Sequence, residues 1–99
     1  MKLITAVVRP QTFERLWSEF QSMPEFAGLT EVDCVGLGST PVANLADVLD
    51  PLKRYKRIDL AVLPENVPIF IEKIKHISHT GKKGDGIIMV TELEGFVRI

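Results

Sequence analysis

Residues 80–90 read TGKKGDGIIMV, a glycine-rich turn followed by an apolar strand. The turn itself, Thr80-Gly81-Lys82-Lys83-Gly84-Asp85-Gly86, packs three glycines and two lysines into seven residues. Glycine reaches positive φ at little steric cost, so such a turn can gather backbone N–H groups into a concave anion cradle, with lysines adding charge. From the loop alone a plainer reading weighs more, since glycine-rich turns far outnumber phosphate sites: Gly81 as the left-handed residue that ends a helix, and GDG as a tight turn into the next strand.

Upstream of the turn, Val67, Phe70, Ile71, Ile74 and Ile77 recur at helical spacing, with Pro68 tolerated in a first turn whose N–H groups have no intrahelical acceptor. This predicts a helix ending near His79. Ile58–Leu63 precedes it as an apolar strand. At the start of the chain, Leu3–Val8 is an apolar, β-branched run closed by Arg9-Pro10, which predicts a strand buried on both faces. Phe13, Leu16, Trp17 and Phe20 then mark a core-facing helix, with Thr12 placed as N-cap and Pro24 beyond the end. Leu29–Leu37 reads as a strand that puts Leu29, Glu31, Asp33 and Val35 on one face and Thr30, Val32, Cys34 and Gly36 on the other. Gly86–Thr91 is a further strand, and Phe96–Ile99 a short last one. The order β-α-β-β-α-β predicts an α+β, ferredoxin-like sandwich: an antiparallel sheet with two helices on one face.

The chain of 99 residues reads as a single domain, 1–99. Between the second and third strands a long connection, at about 39–55, exceeds an ordinary hairpin loop. Its Val42, Leu45, Val48 and Leu49 fit a short amphipathic helix that either packs on the body or faces a neighbour. Twelve basic against thirteen acidic side chains give a net charge of −1, which argues against nucleic acid or an acidic membrane surface as the main partner. No apolar run approaches the roughly 20 residues of a membrane span. The single Cys34 and a start without signal-peptide character point to the cytoplasm.

Catalytic constellations are not apparent. His76 and His79 share a helix face without a third metal ligand nearby in sequence, and Ser39 and Ser78 lack a nucleophile-elbow setting. Glu92 and Glu94 read as solvent-facing carboxylates. RNA-binding sheets of this topology stack bases on aromatics, which LITAVV and IDLAVL do not contain. Small acylphosphatase-like enzymes of this fold hold phosphate with a glycine-rich loop after the first strand, where this chain has Arg9-Pro10-Gln11-Thr12-Phe13.

Three blocks, MKLITAVVRP at the start, TEVDCVGLG at Thr30–Gly38 and TGKKGDGIIMV at Thr80–Val90, occur at separations that resemble the PII signal-transduction family over nearly the whole chain. The resemblance implies a homotrimer whose intersubunit clefts bind an adenine nucleotide and whose long connection docks on a transporter or enzyme. It also implies a regulatory protein rather than an enzyme. By that resemblance Thr80, Gly84, Asp85, Gly86 and Ile87 lie at the phosphates, and Val7 and Ala61 line the adenine pocket with Gly28, Leu29 and Thr30. Gly36, Leu37 and Gly38 form the phosphate-side turn at the base of the long connection, and Arg98 matches the first of two arginines near the C-terminal strand. A structural trimer of the cation-tolerance type, without nucleotide function, is the alternative on the same fold.

The departures from the family pattern share one direction. Ile87 replaces a lysine after GDG, Ser39 and Thr40 replace an arginine and a glutamine, and Tyr55 aligns with a lysine, although Lys53 and Lys56 are close. Each lost cation weakens a triphosphate site most for the most charged ligand. ADP or AMP is therefore expected to bind at least as well as ATP, and 2-oxoglutarate sensing is not expected. The shorter connection, without a tip tyrosine, argues against uridylylation. The resemblance is to divergent PII-like members rather than nitrogen regulators proper, some of them associated with inorganic-carbon acquisition or with other transporters; it leaves nitrogen or inorganic-carbon metabolism open and makes bicarbonate a candidate second ligand.

Overall fold

A computed structural model describes residues 1–36, 53–81 and 84–99. The described elements are β1 (Lys2–Val8), α1 (Pro10–Phe20), β2 (Thr30–Gly36), β3 (Lys53–Val62), a 3-10 turn (Pro64–Asn66), α2 (Val67–Ser78) and β4 (Gly86–Glu92). They form a sheet of order β2-β3-β1-β4 in which every neighbouring pair is antiparallel. This is the predicted sandwich. Leu37, Gly38, the predicted amphipathic segment, and Lys82 and Lys83 of the turn lie outside the described residues.

The helices cover one face of the sheet. Ile4, Ala6 and Val8 of β1 and Ile58, Leu60 and Val62 of β3 point into a core closed by Leu16 and Phe20 of α1 and by Phe70, Ile74 and Ile77 of α2. Phe20 meets Phe70 edge-on at 5.5 Å between ring centroids, so the two helices interlock through aromatic packing. Among the described residues no element covers the opposite face, and β1 is less buried there than the sequence predicts. Thr5 is buried, while Leu3 and Val7 are half-buried.

Three boundaries differ from the sequence reading. α1 begins at Pro10, and Thr12 lies inside the helix and is buried, so it is not the N-cap. Pro10 is preorganised for the first turn, and the Arg9 carbonyl accepts from the N–H groups of Thr12 and Phe13 at 3.0 and 3.1 Å. β3 starts at Lys53, five residues before the apolar run, because the strand's first half is charged and pairs with β2 through Gly36 opposite Lys53. Lys56 there contacts Asp33 at 2.6 Å and Glu31 at 3.3 Å and lies over the Phe13 ring. The hydrogen bond to Asp33, above all, raises its pKa against a smaller desolvation effect. Residues 53–55 thus belong to a strand and not to the long connection. The predicted last strand, Phe96–Ile99, is also not formed. Leu93 N–H donates to the Met1 carbonyl at 3.1 Å, and beyond it the segment pairs with no described strand.

α2 runs as predicted, with Pro68 in its first turn and its end at Ser78. His79 is extended, so Gly81, with φ +80°, does not close the helix in the left-handed cap position. Instead, Arg15 of α1 donates to the Ile77 carbonyl at 3.3 Å and satisfies one acceptor at the helix end.

Candidate functional site

The register of the ladder sorts the open face into rows. Val32, Arg57, Val7 and Ile87 form one row across β2, β3, β1 and β4, and Thr30, Asp59, Thr5 and Met89 form the next. Beyond the first row, at the end where β1 finishes, lie Tyr55, Arg9 and Asp85. This end carries the glycine-rich turn.

Asp85 braces the turn from within. Its carboxylate accepts from the Thr80 N–H at 2.8 Å and from the Thr80 hydroxyl. The hydroxyl bond, then the N–H bond, and more weakly the charges of Arg9 and His79, hold the Asp85 carboxyl below its usual range. Arg9 ties the turn to the end of β1: its Nε donates to the Gly84 carbonyl at 3.1 Å, and its guanidinium lies 3.6 Å from Asp85. Gly84 and Gly86 have φ of +85° and +135°. At Gly86 a Cβ would lie 2.2 Å from the Val7 carbonyl oxygen, so only glycine admits this approach of β4 to β1.

Of the residues singled out from sequence, Val7, Gly36, Thr80, Gly84, Asp85, Gly86 and Ile87 gather at this end of the sheet. Thr30 and Ala61 lie farther along it, with Gly28 and Leu29 just before β2. Ala61 pairs with Leu3, four residues from Val7 on β1, a separation of about 14 Å. Arg98 joins neither group, its guanidinium lying 5.7 Å from the ring of its own neighbour Phe96. Two residues not picked as site residues belong to the turn's surroundings, Arg9 and Tyr55. Arg9 lies within the first block, and Tyr55 is singled out only as aligning with a family lysine; their convergence on Gly84 depends on strand register, which sequence alone does not disclose.

On the helix side of the same turn, a groove of about 600 Å³ runs between α2 and β4. Val8, Ile74, Ile87 and Ile88 line it with Lys75, His76, His79 and Asp85, and its volume falls in the range of small-molecule pockets. Ser78 lies in its wall, its Oγ buried without a hydrogen-bond partner. Among the described residues no group of three or more histidine, cysteine, aspartate or glutamate side chains is placed to hold a metal ion.

The described residues thus form a small α+β sandwich with a carboxylate-braced glycine turn at one end of the sheet. The profile of the family described as nitrogen regulatory protein P-II matches residues 1–99, and the chain belongs to that family. It is similar to the nitrogen regulatory protein P-II of Rhizobium meliloti (strain 1021), 30% identical over 104 residues that cover 100% of this chain and 91% of the relative. The P-II protein of Azospirillum brasilense is 32% identical and GlnK of Escherichia coli (strain K12) 28% identical, each with the same coverage. The chain is accordingly a regulatory protein of the PII family, at an identity that fits a divergent member. No helix among the described residues is long and apolar enough to cross a membrane.

Proposed function

We propose that this chain is a trimeric, cytoplasmic regulatory module that binds an adenine nucleotide where its copies meet and controls a transporter or enzyme through its long connection. The observation that carries the reading is the division of the candidate residues on the open face. The turn with Gly84, Asp85 and Gly86 occupies one end, and Thr30 and Ala61 lie toward the other, about 14 Å along β1 from Val7. Each end offers half of a mononucleotide site, and a neighbouring copy supplies the other half. Ligand binding then favours one arrangement of the assembly over another by differential contact.

Charge tunes which nucleotide is held. Arg9 is engaged by Asp85 and the Gly84 carbonyl, and the residue after GDG is the exposed, uncharged Ile87. With the family's lysine after GDG replaced by this residue, ADP or AMP binds at least as well as ATP, and bicarbonate is a candidate companion ligand. A thermal-shift panel of ATP, ADP, AMP, bicarbonate and 2-oxoglutarate tests this. Saturation at about 100 times Kd adds ~2.7 kcal/mol of stability, a readily visible rise in Tm. ADP and AMP are expected to raise Tm and 2-oxoglutarate to leave it unchanged. A trimer whose Tm ignores millimolar adenylates would instead support the structural-trimer alternative.

A further inference from the structure

One side chain spans the distance between the end of β2 and the glycine turn. Tyr55 lies opposite Cys34 in the β2–β3 ladder, on the open face. Its ring lies across Gly36, where a Cβ would come within 2.8 Å of ring carbons Cδ2 and Cε2. A side chain at position 36 would push the ring from this place, so the absence of a Cβ at Gly36 is what lets the ring lie there. The far end of the ring reaches the turn: a Cβ at Gly84 would be 3.5 Å from the Tyr55 hydroxyl and 3.5 Å from Nη2 of Arg9. The hydroxyl has no hydrogen-bond partner among the described residues. A phenol both donates and accepts, and one held in place with its polar tip unmatched is prepared for a partner that arrives from outside.

We propose that Tyr55 is a ligand-contacting residue: its hydroxyl donates a hydrogen bond to a phosphate oxygen of the bound adenylate, beside Arg9 and the glycine turn. The proposal rests on the nucleotide reading above and adds a residue to it. A neutral donor supplies direction without charge. Tyr55 therefore sharpens recognition of a phosphate group without adding preference for the most highly charged ligand.

Tyr55 is the only tyrosine of the chain, so protein labelled at tyrosine ¹³Cζ reports on this residue alone. Saturating ADP is expected to shift that resonance, and adenosine, which lacks the phosphate, to shift it far less. Tyr55→Phe keeps the ring over Gly36 and removes only the hydroxyl. Its Tm without ligand is expected to match the wild type, while calorimetry with ADP shows a Kd weaker by about tenfold or more, the usual loss for one hydrogen bond to a charged group. Wild-type affinity in Y55F, or an unmoved resonance at saturating ADP, overturns the role of Tyr55 and leaves the nucleotide reading standing. Wild-type protein that binds no adenylate overturns both. If Y55F proves too unstable to titrate, the labelled wild-type protein decides alone.

Discussion

Gly86 shows how little room a single position can leave. Its φ of +135° and the 2.2 Å approach of a would-be Cβ to the Val7 carbonyl oxygen combine a strained backbone with a backbone clash. Gly86→Ala is expected to cost at least ~2 kcal/mol, read as a lower urea midpoint at unchanged m-value. Asp85 acts by charge. Its carboxyl is held below the ordinary range by the Thr80 hydroxyl and N–H, and then by Arg9 and His79. A group whose pKa falls on folding stabilises the native state above its unfolded pKa, and that stabilisation is lost as pH drops through the folded value. Asp85→Asn should therefore be less stable than wild type at pH 7, with the gap closing in acid, below about pH 4. Urea titrations across that range check it, and a gap independent of pH would refute it. The turn itself was legible because three glycines in seven residues mark positive φ, which Gly81, Gly84 and Gly86 all adopt. Arg9 and Tyr55 escaped because nothing in the spacing of a sequence states which residues of separate strands stand side by side.

Helices proved easier to read than strand ends. α2 emerged from its apolar spacing alone, since Phe70, Ile74 and Ile77 all enter the core. The start of β3 was missed because Lys53–Arg57 is charged, and its pairing with β2 becomes visible only once Lys56 is seen between Glu31 and Asp33. Thr12 was misplaced because a threonine near a helix start usually caps, whereas Pro10 had already set the first turn. Phe96–Ile99 has strand-like composition, but a strand also needs a neighbour to take its hydrogen bonds. The bond from Arg15 to the Ile77 carbonyl links the two helices at the end of α2. Arg15→Met keeps most of the aliphatic stem and removes the donor. It is expected to cost about 0.5–1.5 kcal/mol, measurable as a modest drop in Tm, with the helical circular dichroism signal otherwise preserved.

Across the whole molecule, the alternation of strands and helices was enough to give the antiparallel sandwich, and the structure adds the order, with β1 and β3 central and β2 and β4 at the edges. The use of the remaining face was harder to read, because one chain leaves it uncovered. Val32, Ile87 and Met89 all expose large apolar side chains there, around the polar cluster in which Asp59 accepts from Thr5 and Arg57. Under the trimeric reading this face lies between copies. Met89→Asp should then lower the sedimentation coefficient from that of a trimer toward that of a monomer, while the far-ultraviolet spectrum stays folded. Unchanged sedimentation would show that the face is not needed for assembly.

The pairing of Gly36 with Lys53 also has a practical consequence. Ladder partners stand about 5 Å apart, so the two chain ends leaving the sheet there form a ready-made splice point whose spacing is set by the ladder rather than by what is inserted. Foreign cargo with adjacent termini, such as an epitope or a compact reporter protein, could be grafted there while the rest of the fold serves as its chassis.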